Sequence, residues 1–395
     1  MLTLMVLVQN TAANRRCDYR LELALLSFMD KLKQGLLYVD AAMEQERDSE
    51  GAAGADGSRS APMPQFLRSL LGPKRSHASL PNDVYKNIFK RIGLGGHMDV
   101  LGMIMAKVLS NLKIWADNEV LIKETLVLLA TLVQGNAGEG AARILLELEV
   151  TRGLLQHHTA EHVNFLSYAA NARHRTTYYL TLTHLLALHL EDADASGAFE
   201  LFLQPLLATL GRLQGVANLR TEEARFTIIG LARDFRGIAC ASNRRLFPLM
   251  FDLLYPNSLP LFTRALDTWW DDPAVTVAVL KFWMEVAENK DGRIYFDAAF
   301  PGGLLLFKEM AASITAYGRH ILAQGPVADG QDAYKLRYKS IGICLACLSL
   351  ALTGQYVNFG AFTLYGDSTG VCVCLCVCVC ACVLRCVCVC VCLCA

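Results

Sequence analysis

Residues 225–282 read RFTIIGLARDFRGIACASNRRLFPLMFDLLYPNSLPLFTRALDTWWDDPAVTVAVLKF. Just upstream, Thr221 followed by Glu222 and Glu223 has the form of a helix N-cap with an acidic first turn. Phe226, Ile229, Ala232 and Arg233 then recur at helical spacing as far as Gly237, where that helix is expected to stop. Leu246, Leu249, Met250 and Leu253 make a second stripe, closed by Tyr255-Pro256. Leu261, Ala265, Leu266 and Trp269 make a third, closed by Asp271-Asp272-Pro273. Helices of about 10–18 residues cannot bury an apolar face alone, so the stretch predicts helices that stack on neighbours.

Outward from this block the same pattern continues. Helical periodicity covers 18–40, then 65–71, 82–92, 97–115, 118–134, 138–155, 160–170, 174–190, 197–214, 221–236, 244–254, 257–270, 274–288, 303–323 and 331–352. The helices pair at intervals of roughly 35–45 residues, the spacing of HEAT-type repeats in which antiparallel pairs stack into an α-solenoid. Periodicity by itself leaves a plain all-α bundle open. Residues 42–64, AMEQERDSEGAAGADGSRSAPMP, lack large aliphatic side chains other than Met. They read as a disordered insertion that buries too little to offset its ordering entropy.

Several blocks resemble the exportin-7 family (Ran-binding proteins 16 and 17), a branch of the importin-β superfamily of nuclear transport receptors. They are LARDFRGIA at 231–239, LFPLMFDLLYP at 246–256, and the Trp270-Asp271-Asp272-Pro273 turn followed by VAVLKF at 277–282. Upstream, LELALLSFMDKL (21–32), SNLKIWAD (110–117), HTAEHVNFL (158–166) and RTTYYLTLTHLL (175–186) are similar to successive parts of that family. Downstream, YFDAAFPGGLLLFKE (295–309), ITAYGRHIL (314–322) and YVNFGAFTLYGD (356–367) continue in order. The resemblance runs colinearly over residues 16–368 and covers a central portion of the family's length.

It implies an all-α α-solenoid of HEAT-like pairs that exports protein cargo under control of Ran-GTP. Protein cargo, Ran-GTP and nucleoporins would be the partners, and cytoplasm, nucleus and nuclear pore complex the location. Ran-GTP and cargo would each favour a solenoid curvature that the other prefers. The N-terminal repeats that hold the main Ran site in this superfamily have no counterpart in residues 1–395, so Ran binding by this chain is implied only by the family. No cargo or Ran contact residue is carried over. A generic helical-repeat scaffold is the rival reading, and a membrane-tethered adaptor a second.

Composition narrows the classes further. Lys plus Arg and Asp plus Glu are 37 each, a balance without the basic excess that phosphate neutralisation demands, so nucleic-acid binding is disfavoured despite Arg244-Arg245. Before residue 370 the cysteines are Cys17, Cys240, Cys344 and Cys347, which suits a reducing compartment and gives no disulfide framework.

His158 and His162 are an i, i+4 pair with His157 beside them, but HHTAEH lacks a third ligand and is read as a polar turn. Cys344 and Cys347 form a CxxC inside the apolar run IGICLACLSLAL, where small buried hydrophobes are expected. Asp234 lies between Arg233 and Arg236, and a solvated or inter-helix salt-bridge network with neighbours at helical spacing is expected. Gly93, Gly95 and Gly96 are read as a turn between helices. Trp269, Trp270 and Trp283 are read as packing between repeats, with an exposed tryptophan serving as a cargo anchor as the alternative. With no phosphate loop, dinucleotide fingerprint or nucleophile elbow, no enzyme activity, cofactor, metal or catalytic residue is predicted.

The two ends stand apart. Residues 1–15 are unassigned: MLTLMVLVQN has no basic segment before it, which favours a frayed helix end over a secretory signal. Residues 369–395 carry a Cys-Val tail, VCVCLCVCVCACVLRCVCVCVCLCA from 371, with every cysteine at an even position. A period-two strand or a span interrupted by Arg385 fits physically. Cys-Val alternation is also what a TGTGTG repeat yields on translation, and that is the preferred reading.

Overall fold

A computed structural model describes isolated residues between Arg20 and Met29 and then residues 97–134, 144–189, 195–297, 301–324, 327 and 331–365. The helices expected at 65–71 and 82–92, most of 18–40, the insertion at 42–64, the glycines at 93–96 and the Cys-Val tail lie outside the described residues. The described elements are helical, with no strand among them. The chain divides into two compact units, Met1–Leu154 and Leu155–Ala395.

In the first unit α1 (His97–Ile114) and α2 (Glu119–Gln134) pack on each other through a tight turn. Asn118 Oδ1 accepts the Leu121 N–H at 3.1 Å and so caps α2. Ile104, Val108 and Leu112 are fully buried with Leu121, Ile122 and Leu129. Asn111 near the end of α1 donates to Thr125 Oγ1 near the start of α2 at 3.1 Å, a pairing that requires an antiparallel hairpin. Helix α3 (Glu149–Gln156) follows.

The second unit is a two-layer stack. Helices α4 (Arg175–His189), α6 (Glu222–Ala241), α9 (Pro273–Ala287) and α11 (Lys339–Thr353) pack side by side in that order. The chain alternates between them and a second layer of α5 (Ala195–Gln214), α7 (Leu246–Leu254), α8 (Pro260–Thr268), α10 (Gly302–Ala323) and α12 (Ala361–Tyr365). Neighbours within a layer run parallel: Thr276 and Ser340 bond at 3.0 Å near the starts of α9 and α11, and Thr263 and Ser313 at 2.6 Å join α8 and α10. This is the all-α stacking of paired helices that periodicity predicted. First-layer helices begin at Arg175, Glu222, Pro273 and Lys339, so the repeat is longer than expected, because α7 and extended connections are inserted.

Several expectations are corrected. Residues 160–170 are not an α-helix; Asn164–Ser167 and Ala169–His174 form short 3₁₀ turns leading into α4. Helix α6 does not stop at Gly237 but runs to Ala241. Gly237 is there for packing: a Cβ would lie 2.4 Å from the Thr176 carbonyl oxygen, so only glycine lets α4 and α6 approach this closely. The buried face of α6 centres on Ile228, Leu231, Phe235 and Ile238, whereas Phe226 is half-buried. In α7, Phe247, Phe251 and Leu254 are buried, and Leu249 and Leu253 only partly so. The third stripe, Leu261, Ala265, Leu266 and Trp269, is buried as expected.

Candidate interaction surface

In a solenoid the binding surface is only as well shaped as the joints between its repeats. The α4–α6 joint is closed by Asp234, which is fully buried, and Arg175 at the start of α4. Arg175 Nε donates to Asp234 Oδ1 at 2.8 Å, Nη2 to Oδ2 at 2.5 Å, and Nη1 to the Leu166 carbonyl at 2.7 Å. Burial alone would lower the Arg175 guanidinium, but the Asp234 carboxylate outweighs it and holds it above its ordinary value. The inter-helix ion pair expected of Asp234 is present. Its partner, however, is not a helical-spacing neighbour, and nothing about it is solvated.

The next joint turns on the Trp270-Asp271-Asp272-Pro273 segment. Asp272 Oδ1 accepts the Ala274 N–H at 2.8 Å, capping α9 with Pro273 in its first turn, while Oδ2 pairs with Arg225 of α6. Asp271 accepts from Arg220 Nη2 at 2.5 Å, and Arg220 Nη1 reaches the Thr268 carbonyl at 2.6 Å. The same guanidinium lies 4.8 Å above the Trp269 ring, whose Nε1–H donates to the Leu219 carbonyl at 3.0 Å. At the other end of these helices Arg293 is almost fully buried. It donates to the carbonyls of Ala239 (2.5 Å) and Ser242 (3.2 Å) at the end of α6, and to those of Glu285 (2.6 Å) and Glu288 (3.1 Å) at the end of α9. One guanidinium thus satisfies the terminal carbonyls of two parallel helices.

The histidines, cysteines and tryptophans have structural roles. His158 and His162 do not converge: His158 is buried, and exposed His162 lies against His157, with ring centres 4.6 Å apart and the planes tilted by 33°. His158 Nε2–H donates to the Phe202 carbonyl at 2.9 Å, and Nδ1 lies 3.3 Å from the Tyr179 hydroxyl. Burial pushes its pKa down to about 4, with the Phe202 carbonyl opposing and His157 adding to the fall. It is a core histidine rather than part of a polar turn. Cys344 and Cys347 are buried on α11 and not joined in a disulfide, and Cys347 Sγ lies 3.8 Å from the Leu280 carbonyl oxygen. Trp283 packs on Phe262 and Phe282. Trp270 stacks on His320 at 5.5 Å, and His320 bonds Asp267 at 2.7 Å. Among the described residues no three His, Cys, Asp or Glu side chains gather to hold a metal.

Between α7 and α10 lies a cleft of about 200 Å³. Phe247, Phe251, Tyr255, Tyr295, Pro301 and Leu305 give it a mostly apolar lining. Among the described residues one helical stretch, Tyr334–Thr353, is long and apolar enough to cross a membrane; its Ile341, Cys344, Cys347 and Leu348 are buried and it packs on α9. Arg175, Arg293 and the cleft escaped the sequence reading. A usable signal was Arg293 directly after the Asn289-Lys290-Asp291-Gly292 break, one residue past a helix-terminating turn.

Two layers of stacked helices with arginine-closed joints define an all-α helical-repeat protein. Within that class, a family model for the exportin-7-like TPR domain matches residues 1–174. Exportin-7-B of Xenopus laevis is 36% identical over 312 residues, 77% of this chain and 28% of the relative. Ran-binding protein 17 of Homo sapiens is 32% identical over 373 residues, 92% of this chain and 30% of the relative. Exportin-7 of Dictyostelium discoideum is 31% identical over 309 residues, 77% and 30% respectively. The chain is a member of the exportin-7 and Ran-binding protein 16/17 family, and it spans under a third of the length of the curated relatives it matches.

Proposed function

We propose that this chain is part of a nuclear transport receptor that carries protein cargo out of the nucleus with Ran-GTP, moving between nucleus and cytoplasm through the pore. The observation that carries the reading is similarity to exportin-7 and Ran-binding protein 17 across 77–92% of the chain. The two-layer stack supports it, because stacked pairs offer an extended face to a folded protein rather than a pocket for a metabolite. The α7–α10 cleft would take an exposed aromatic or aliphatic side chain of a protein partner, nucleoporins among them. No catalytic role is proposed. Coupling between Ran-GTP and cargo would follow if each favours the same curvature of the stack, which joints tied by side chains such as the buried Arg175–Asp234 pair would transmit from repeat to repeat.

The test is capture of purified Ran by the immobilised chain. Ran loaded with a non-hydrolysable GTP analogue is expected to be retained over Ran-GDP, and retention is expected to rise when cargo is present. Equal or absent capture of the two forms would overturn this reading for the chain and leave a nucleotide-independent helical scaffold.

A further inference from the structure

The α4–α6–α9–α11 layer turns one face to its partner layer and the other to solvent. On that solvent face α6 presents Arg233 and Arg236, α9 presents Lys281 and α11 presents Lys339. Arg233 and Arg236 are one turn apart, and α6, α9 and α11 are successive neighbours in the layer, so the four cations form a ladder across three helices.

The nearby carboxylates reach only one of the four, Arg236, through a long ion pair to Glu285. Asp234 points inward to Arg175. Glu285 lies 2.5 Å from Lys290 and 3.9 Å from Arg236, and Glu288 lies 3.2 Å from Lys290. Among the described residues none forms an ion pair with Arg233, Lys281 or Lys339, and Arg236 Nε has no hydrogen-bond acceptor. The like charges feel one another: Lys281 is pushed below its ordinary value by burial and then by Arg236, Lys339 and Arg233, and Arg233 by burial and then by Arg236 and Arg175.

We propose that this face docks an acidic segment of a protein partner, with carboxylates seated on Arg233/Arg236, Lys281 and Lys339 in turn. Spacing makes the partner more specific than "acidic". Packed helix axes lie about 8–10 Å apart, and the Thr276–Ser340 bond sets Lys339 more than a turn behind Lys281, so the rungs are separated by roughly three to four residues of an extended chain at ~3.3 Å per residue. Acidic residues three to four positions apart therefore match the ladder, and a block of adjacent acids does not. Half-buried Val277 and Met284 lie among the cations on α9, which suits aliphatic stems of a peptide. Balanced charge over the chain as a whole argues against a phosphate-tracking surface. The inference concerns this face alone and does not depend on Ran or on export.

The experiment is fluorescence anisotropy with the full chain and three labelled probes: a Glu-Ser-Ser repeat peptide, a peptide of the same composition with its Glu residues clustered, and a single-stranded RNA of similar charge. The spaced peptide should bind best, and raising the salt concentration should weaken it. Arg233→Glu with Lys281→Glu and Lys339→Glu should weaken it by about tenfold or more. Reversal of three exposed cations in the other layer, Arg212→Glu with Arg245→Glu and Lys308→Glu, should leave it unchanged. If the reversed ladder fails to fold, as judged by circular dichroism, Lys281→Gln with Lys339→Gln serves the same comparison without adding charge. Equal loss from the control reversal, tighter binding of the RNA, no preference for the spaced over the clustered peptide, or no binding would each overturn the proposal.

Discussion

Replacing Asp234 with Asn probes whether repeats in the second unit are locked by buried charge. In the native joint the Arg175 guanidinium spends three N–H groups on Asp234 and Leu166, and Asp234 is fully buried. An amide cannot neutralise the guanidinium, and a cation stranded out of water costs about 3–5 kcal/mol. Because a helical stack is held by nearest-neighbour interfaces, the loss should appear first at α4–α6 rather than as uniform destabilisation.

Amide hydrogen exchange followed by mass spectrometry reads this locally. Protection in α4 and α6 should fall by roughly two to three-and-a-half orders of magnitude, which is 3–5 kcal/mol converted at about 1.4 kcal/mol per tenfold, while α11 stays close to its parent rate. Arg175→Met combined with Asp234→Leu should recover much of the protection. It removes both charges and leaves only the Leu166 carbonyl without its donor, a cost of about 1–3 kcal/mol. A change below about tenfold in Asp234→Asn, or a double variant as exposed as the sum of its singles, would refute the reasoning.

Gly237→Ala forces a methyl to within 2.4 Å of the Thr176 carbonyl oxygen and 2.9 Å of the Leu180 nitrogen, so thermal unfolding should show a loss of about 1–3 kcal/mol or more, although alanine is the better helix former. Arg293→Met strips the donor from four carbonyls at the ends of α6 and α9 and should cost about 3 kcal/mol or more in urea unfolding; Arg293→Lys should restore less than half, because an ammonium lacks the fork that spans two helices. His158 titrates at about 4 folded against 6.5 as a free side chain. The unfolded chain therefore takes up the proton first on acidification: His158's contribution is intact above about pH 6.5 and declines towards pH 4, by about 3 kcal/mol in all. His158→Gln should flatten that part of the stability–pH curve.

How much of this was legible in sequence depended on the range over which each signal acts. Helix existence and type are local, and the starts of α1, α6 and α9 carry their own marks: apolar spacing, the Thr221 cap, and Asp272 before Pro273. Phase was less secure. On α6 the arginines and Asp234 interrupt the apolar pattern, so a stripe drawn through Phe226 sits rotated from the true face through Ile228, Leu231 and Phe235. Gly237 invited a stop signal that was in truth a demand for close approach by another helix. The same ambiguity explains His158, whose two partners, Tyr179 and Phe202, lie 21 and 44 residues away.

The candidate surface was less legible still, because its makers are long-range. Arg175 and Asp234 are 59 residues apart, and Arg293 reaches back 54 residues to Ala239. Nothing near Arg175 in the chain hints at its match, and the break before Arg293 marks its position but not its distant partners. The joints also solve one problem in different ways. The α4–α6 joint uses an arginine at a helix start, the α6–α9 joint uses one in a first turn and another beyond a helix end, and Thr276 with Ser340 adds a neutral bond between α9 and α11. What stacking requires is a satisfied polar group and a buried apolar face at each interface, not a particular residue at a particular repeat position. Geometry can therefore repeat while identity between repeats fades. It follows that cations such as Arg233, Lys281 and Lys339, which pair with nothing across a joint, are a feature that the repeat architecture does not account for, whereas Arg236 beside them reaches Glu285 of the next helix.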